Sequence, residues 1–311
     1  MGSLCNGALG RQLDRLNVAA LVISGIAMKP VSKTSNGAVQ PFLRWAGSKK
    51  QMLPVLSQYW TDEYLRYVEP FAGSASMFFR VHPKKALLGD INRDLIATYR
   101  QVKTRVAGVI SCLGGLTKGR DEYLELRSME TSSLTPAARA ARFIYLNRFC
   151  FNGLYRTNRS GRFNVPYGGD RAGNLPSDDA LRRCSVRLKN ADFVAGDFEE
   201  VLKNVRLGDF VYMDPPFQVK ARRVFNEYDA SVFRSEDLHR LRQWLERFAD
   251  RGIPFLVSYA DCEEARFLCR GFHTQAVTVK RNIAGFTRSR VRSSELLISS
   301  VPRPEGRKNG A

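Results

Sequence analysis

Residues 64–81 read YLRYVEPFAGSASMFFRV, and residues 86–103 read ALLGDINRDLIATYRQVK. Their reading decides the fold. In the first, Tyr67 and Val68 close a predicted strand. Ala72, Gly73, Ser74 and Ala75 make a turn of small residues, and a helix follows over 76–81. In the second, a predicted strand over 86–89 ends at Asp90, and a helix follows through Leu95, Ile96 and Tyr99. Strand, helix and strand in this order build an α/β fold with a doubly wound parallel sheet.

Working outward, the pattern breaks between residues 114 and 187. Helical text (AARAARFIYLNRF) is followed by a polar, glycine-rich segment (FNGLYRTNRSGRFNVPYGGDRAGN). The α/β pattern returns with ADFVAGDFEEVL and continues through GDFVYMDPPF, a long amphipathic helix and the strand IPFLVSYA. The segments TQAVTVKRNI and SSELLISSV read as a closing hairpin. The expected organisation is therefore a core over 41–113 and 188–303, interrupted by a basic, mainly helical insertion over 114–187. Residues 1–40 read as a dispensable extension and polar linker, and 304–311 as a tail, both without fixed structure. The apolar run LNVAALVISGIAM, residues 16–28, is short and holds Asn, Ser and Gly. It is a weak signal-like segment at most, and Met28 is an alternative start.

The chain has 311 residues, 44% of them hydrophobic, enough for one substantial core. Lys and Arg number 49 against 30 Asp and Glu, a formal net charge of +19. Such an excess points to a polyanionic partner, with nucleic acid first. No segment reaches the ~20 apolar residues needed to span a bilayer. Cysteines at 5, 112, 150, 184, 262 and 269 form no C-x-x-C pair, as expected for reduced thiols in a cytoplasmic protein. His82, His239 and His273 stand apart, so no metal site is expected.

Ligands of doubly wound sheets sit beyond the carboxyl ends of the strands. Small residues around Gly73 let the backbone approach a ligand, and Asp90 is placed to hold ribose hydroxyls. The turn lacks the G-x-G-x-x-G spacing that a pyrophosphate cofactor needs. A nucleoside cofactor without phosphates fits better, S-adenosylmethionine being the common one. Glu69 is placed to neutralise part of a cationic cofactor. The plainer alternative is that both acids are satisfied by turn amides.

FVYMDPPF, residues 210–217, joins a buried strand to a stiff turn. Proline fixes φ and restrains the residue before it. Asp214, Pro215, Pro216 and Phe217 thus hold a carboxylate, a carbonyl and a ring in fixed relation. Two acceptors and an aromatic face suit a planar base bearing an exocyclic amine. They pull the amine toward a pyramidal shape, localise its lone pair and stabilise the positive charge that grows on nitrogen. No metal is required.

The set PFLRWAGSKKQMLPVL, YVEPFAGSASMFF, LGDINRDLI, YLNRFCFNGLYRTNRSGRFNVPYG, FVYMDPPF and RSRVRSSELLIS resembles the Dam-type DNA adenine-N6 methyltransferases, over residues 41–301 and in the family's order. The resemblance implies a Rossmann-like methyltransferase core with an inserted target-recognition domain. It implies S-adenosylmethionine as methyl donor, S-adenosylhomocysteine as product and no metal. Trp45, Ala46, Gly47 and Lys49 match the first cofactor motif. Glu69, Pro70, Phe71, Ala72 and Gly73 match the second. Asp90 matches the ribose-binding acid, Asp197 and Phe198 the adenine-contacting pair, and Asp214 to Phe217 the catalytic motif, with Asp214 also at the cofactor. Departures are Gly47-Ser48 for the usual doubled glycine, Gly-Ser-Ala-Ser for Gly-Ala-Gly-Ser, Phe217 where Tyr is commoner, and Ser258-Tyr259 for Ser-Asn. None removes a charge or ring that the chemistry needs.

In the glycine-rich segment, Arg148, Arg156, Arg159 and Arg162 alternate with Phe149, Phe151, Tyr155 and Phe163. That mixture suits phosphate contact and base stacking. Asn152-Gly153 and Ser160-Gly161 are turn pairs, and the second is placed to close a β-ribbon. A ribbon fits the major groove. An adenine must leave the duplex to reach Asp214. The resemblance implies Phe151 as the wedge, and Leu154, Arg156, Asn158 and Pro166 at base edges as in relatives that read GATC. Arg159 and Arg162 are expected on phosphates, and Arg281, Arg288, Arg290 and Arg292 along the DNA channel. The expected activity is a monomeric, site-specific DNA adenine methyltransferase in the cytoplasm of a bacterium or encoded by a phage, with a cognate restriction endonuclease as a further partner. RNA adenine methylation, amide methylation by a similar motif and an inactive DNA-binding relative are the alternatives.

Overall fold

The fold is that of a computed structural model, which describes residues 39–158, 160–216, 233–282 and 290–303; of residues 171, 279–282 and 290–293 only the backbone is described. In chain order the elements are α1 (Leu53–Leu56), β1 (Arg66–Glu69), α2 (Ser76–Val81), β2 (Ala86–Asp90), α3 (Arg93–Gly114), α4 (Arg120–Ser128), α5 (Pro136–Phe149), α6 (Asp178–Leu188) and β3 (Ala191–Ala195). They continue with α7 (Phe198–Leu202), β4 (Asp209–Met213), α8 (Ser235–Asp250), β5 (Phe255–Ala260), α9 (Glu263–Cys269), β6 (His273–Asn282) and β7 (Arg290–Ser299). Of the described residues, 39–48 and 92–189 form one compact unit, and 49–91 with 190–303 form the other.

The second unit carries a seven-stranded sheet in the order β3-β2-β1-β4-β5-β7-β6. The first five positions pair in parallel, while β7 runs antiparallel to both β5 and β6. This is the doubly wound α/β architecture expected, and the two closing segments do form a hairpin. The chain moves outward from β1 to β2 and β3, then returns to lay β4 on the other side of β1. The point where strand order reverses is therefore the β1/β4 seam, where such sheets place ligands.

Burial explains the strand text. All of β4 is buried, so its run is apolar on both faces, as in a covered parallel sheet. Val68, Val211, Met213, Phe255, Val257 and Ile298 share one core with Leu241, Leu245 and Phe248 of α8. The β1/β4 register, Arg66 beside Asp209, is held by a two-pronged ion pair: Arg66 Nε and Nη2 donate to Asp209 Oδ1 and Oδ2 at 3.0 and 2.7 Å. Asp209 is fully buried. Its compensation by a fork-shaped guanidinium fixes the seam's register.

The first unit holds α3, α4, α5 and α6. The sequence reading gives the helix after Asp90 to the sheet core, with the insertion starting at 114. Instead α3 packs on α5 and α6, and Tyr99 meets Phe42 edge to face at 5.4 Å. The longer stretch of this unit thus begins at Asn92, just after β2. Three of its four helix starts are capped by side chains: Asn92 for α3, Thr135 for α5 and Ser177 for α6. No helix among the described residues is long and apolar enough to cross a membrane.

Candidate active site and nucleic-acid face

β1 and β2 each run one residue further than expected, so Glu69 and Asp90 are the last residues of their strands. Asp197 lies just beyond β3 and Asp214 directly after β4. Given the strand order, Asp197, Asp90, Glu69 and Asp214 form a row of acids along the carboxyl edge of the sheet. Glu69 and Asp214 flank the seam where strand order reverses.

Asp214 meets side chains from two other parts of its unit. Its Oδ1 accepts from Ser258 Oγ at 2.9 Å and lies 3.0 Å from Lys49 Nζ. Lys49 Nζ also lies 3.2 Å from Glu295 Oε2. The Lys49 side chain is 6% exposed, that of Asp214 22%, so the carboxylate keeps an open side while the ammonium is enclosed. Sheet register explains the meeting. Met213 pairs with Val257, which brings Ser258 alongside Asp214, and Ala260 pairs with Glu295. Tyr212 O–H and Ser258 Oγ are 3.0 Å apart behind the pair.

Burial, and one cation set between two carboxylates, together shape the electrostatics here. Burial works against charge on Lys49, yet Asp214 and Glu295 outweigh it and its pKa is raised. Burial pushes the Asp214 carboxyl above the ordinary aspartate range, with Lys49 and Ser258 opposing and Glu295 adding. Glu69 is pushed well up by burial, against the Tyr67 hydroxyl that donates to its Oε2 at 3.0 Å.

The small-residue turn takes left-handed backbone at Gly73 (φ 46) and also at Ala75 (φ 51). Asp90 Oδ2 accepts from Gly73 N at 3.0 Å, so the acid at the end of β2 does satisfy a turn amide. Asp197 caps α7 by accepting from Glu199 N at 2.9 Å, and it pairs with Arg240. Phe198 is buried, stacked on Phe71 at 5.4 Å, with the Arg240 guanidinium 4.7 Å above its ring. Pro70 and Ala72 are buried and Pro216 is exposed.

Trp45, Ala46 and Gly47 belong to the helical unit, where Trp45 stacks on Tyr155 at 6.1 Å. There Asn147 clasps the Arg44 backbone from both sides, accepting from its N at 2.8 Å and donating to its O at 2.6 Å. The ribbon expected near Ser160-Gly161 is present as a short one. Thr157 bridges Phe163, and Asn158 N donates to Arg162 O at 2.8 Å. Asn158 is spent on that turn: its Oδ1 accepts from Ser160 N, Ser160 Oγ and Arg162 N at 3.1, 2.7 and 2.9 Å. Arg156 is exposed, and its Nε donates to Asn164 Oδ1 at 2.9 Å.

The aromatics of the segment divide. Phe149 is 2% exposed and pairs with Tyr145 at 4.5 Å, so it is core and not a stacking platform. Tyr155 packs on Phe143 and Phe163, and its hydroxyl donates to Asp94. Phe151 and Leu154 are 40% and 39% exposed, flanking Asn152 and Gly153, both at positive φ. Pro166 is exposed. Arg148 is half-buried, with Nε donating to Asn174 O at 2.6 Å.

Phe217, Arg159 and Arg288 lie outside the described residues, as do residues 1–38 and 304–311; Arg281, Arg290 and Arg292 are described by backbone alone. Sequence reasoning missed Glu295, and it met Ser258 only as half of an altered pair. The available signal was their place on the next two strands of the sheet beyond β4, the strand that Asp214 follows.

Residues 45–283 match the family model described as D12 class N6 adenine-specific DNA methyltransferase. The chain is 31% identical over 271 residues to the type II methyltransferase M1.LlaDCHI of Lactococcus lactis subsp. cremoris, covering 84% of this chain and 95% of that protein. It is 33% identical over 271 residues to the type II methyltransferase M.MjaIII of Methanocaldococcus jannaschii, covering 79% and 93%. It is 32% identical over 267 residues to the DNA adenine methylase of Escherichia coli strain K12, covering 84% and 95%.

Proposed function

The chain belongs to the D12 class of N6 adenine-specific DNA methyltransferases, and on that premise we propose that it methylates an adenine turned out of duplex DNA, with S-adenosylmethionine as donor, within GATC or a related short site. The observation that carries this reading is Asp214. It is a half-enclosed carboxylate at the reversal seam of the sheet, backed by Lys49 and Ser258 and followed by two prolines.

The residues present fit the donor. A sulfonium cofactor is cationic and bears ribose hydroxyls; the row of Glu69, Asp90, Asp197 and Asp214 offers acids, and the turn at Gly73 offers a close backbone approach. Glu69 and Asp90 would hold its charged and hydroxyl groups, with Phe198 beside its base. When bound, it supplies an electrophilic methyl carbon. Asp214 and the Pro215 carbonyl accept the N–H groups of the adenine amine and draw its lone pair toward that carbon. Held there by Asp214 and the Pro215 carbonyl, the nitrogen would take the methyl group, the carbon–sulfur bonding pair would stay on the donor's sulfur, and the surplus N6 proton would go to water. S-adenosylhomocysteine is the second product. Asp214 stabilises the positive charge on nitrogen.

Removing adenine from the stack leaves a gap. Exposed Phe151 and Leu154 are the side chains suited to prop it. Arg156 reads a guanine edge, worth ~1–3 kcal/mol of discrimination. Asn158 enters as the residue that shapes the ribbon's tip, since its carbonyl oxygen is committed to the turn. The enzyme is read as a cytoplasmic monomer, and the type II names of two relatives favour a cognate endonuclease as partner.

The test is incubation with labelled S-adenosylmethionine and duplex DNA, with RNA in parallel, followed by digestion to nucleosides. Label in N6-methyldeoxyadenosine from duplex DNA is expected. Label from RNA alone would replace the reading with an RNA methyltransferase.

A further inference from the structure

Among the described residues, both donors to Asp214 converge on one oxygen: Lys49 Nζ and Ser258 Oγ each approach Oδ1, at 3.0 and 2.9 Å. Lys49 is itself clasped by Glu295 at 3.2 Å, inside a site where the two side chains are 6% and 5% exposed. We propose that Ser258, and Glu295 acting through Lys49, are positioning residues that occupy Oδ1 of Asp214 and so present Oδ2 to the reacting amine.

This inference rests on the reading of Asp214 as the amine acceptor. A carboxylate turns easily about its last torsion, which has a broad, roughly two-fold profile. Two donors on one oxygen remove that freedom before substrate arrives. Lysine alone would be a poor anchor, because its flexible stem carries a point charge that any nearby acceptor can draw away. A second carboxylate on the far side fixes the ammonium. The role differs from the cofactor contact expected for Lys49. Its charge is directed at Asp214 and Glu295.

Among the described residues, the groups that bear on Asp214 come from several elements. Lys49 precedes α1, Tyr67 and Glu69 are on β1, Tyr212 is on β4, Ser258 on β5 and Glu295 on β7. Two substitutions should move the Asp214 ionisation in opposite directions. Glu295→Gln removes a like charge, so Asp214 ionises at lower pH. Ser258→Ala removes a donor to the ionised form, so it ionises at higher pH.

The experiment is a carboxyl-carbon NMR titration of the full chain labelled at aspartate, with Asp214→Asn identifying the signal. It is paired with single-turnover methyl transfer to duplex DNA. Opposite shifts are expected, with the transfer rate down roughly 10- to 100-fold in each variant, the loss that misplacing a reacting group brings. Duplex affinity, read from the DNA-concentration dependence of that rate, should stay unchanged. Equal or absent shifts would overturn the positioning role, and if one variant fails to fold, the direction of the other decides. A parent enzyme that methylates no nucleic acid would defeat the proposed function, whereas the clamp would still stand or fall on the titration.

Discussion

Asp214 stands at a strand end with its open side away from the core, so replacing it should subtract chemistry and little else. Asp214→Ala is expected to lower the transfer rate by at least ~10²-fold, the cost of losing one electrostatic contact to a transition state. Duplex affinity, followed by fluorescence anisotropy, should hold; retained turnover would refute the role. Glu69 poses the opposite case. Its carboxyl is raised by burial, so the folded chain holds that proton more tightly than the unfolded one. That contribution to stability is complete below the ordinary glutamate value of ~4.3 and is lost as pH climbs through the raised folded value. Glu69→Gln, always neutral, should match the parent in Tm near pH ~4 and gain on it toward pH ~8. Thermal melts across that range check the sign, and a gap that narrows with pH would refute it. Asp214, Glu69 and Asp90 were legible in the sequence because each ends an apolar run. Ser258 and Glu295 were not, because a serine or glutamate in a strand has no local mark. Their value comes from the lateral register, which links Ser258 to an aspartate 44 residues earlier.

Gly89 on β2 shows how tightly an element seats its neighbour. A Cβ there would lie 2.2 Å from Val201 Cγ2 on α7, with Val194 O at 3.4 Å on the next strand. Gly89→Ala is expected to cost about 1–3 kcal/mol, as overpacking does, read as a lower midpoint in urea unfolding. An unchanged midpoint would mean that α7 slides at no cost. The strand, turn and helix over residues 66–90 were readable from period and turn chemistry. The place of β7 between β5 and β6 was not, since the hairpin pattern says that two strands pair and nothing about which of them meets the sheet. Nor was the allegiance of α3, whose amphipathic text fits either unit.

Over the whole molecule, a net charge of +19 bears on how the enzyme finds DNA. A protein neutralising about six phosphates loses roughly 10³-fold in affinity between ~50 and ~200 mM salt. A loss of that order is expected here for a duplex without the recognition site, while a drop below ~10-fold would place the excess charge off the DNA face. The position of β7 also bears on biosynthesis. A ribosome that has translated as far as β6 has already produced every acid of the row, yet the sheet then lacks its inner antiparallel strand and Lys49 its second carboxylate. On the role proposed for Glu295, a nascent polypeptide that has not yet released residue 295 from the exit tunnel is expected to transfer methyl groups more slowly than the finished chain.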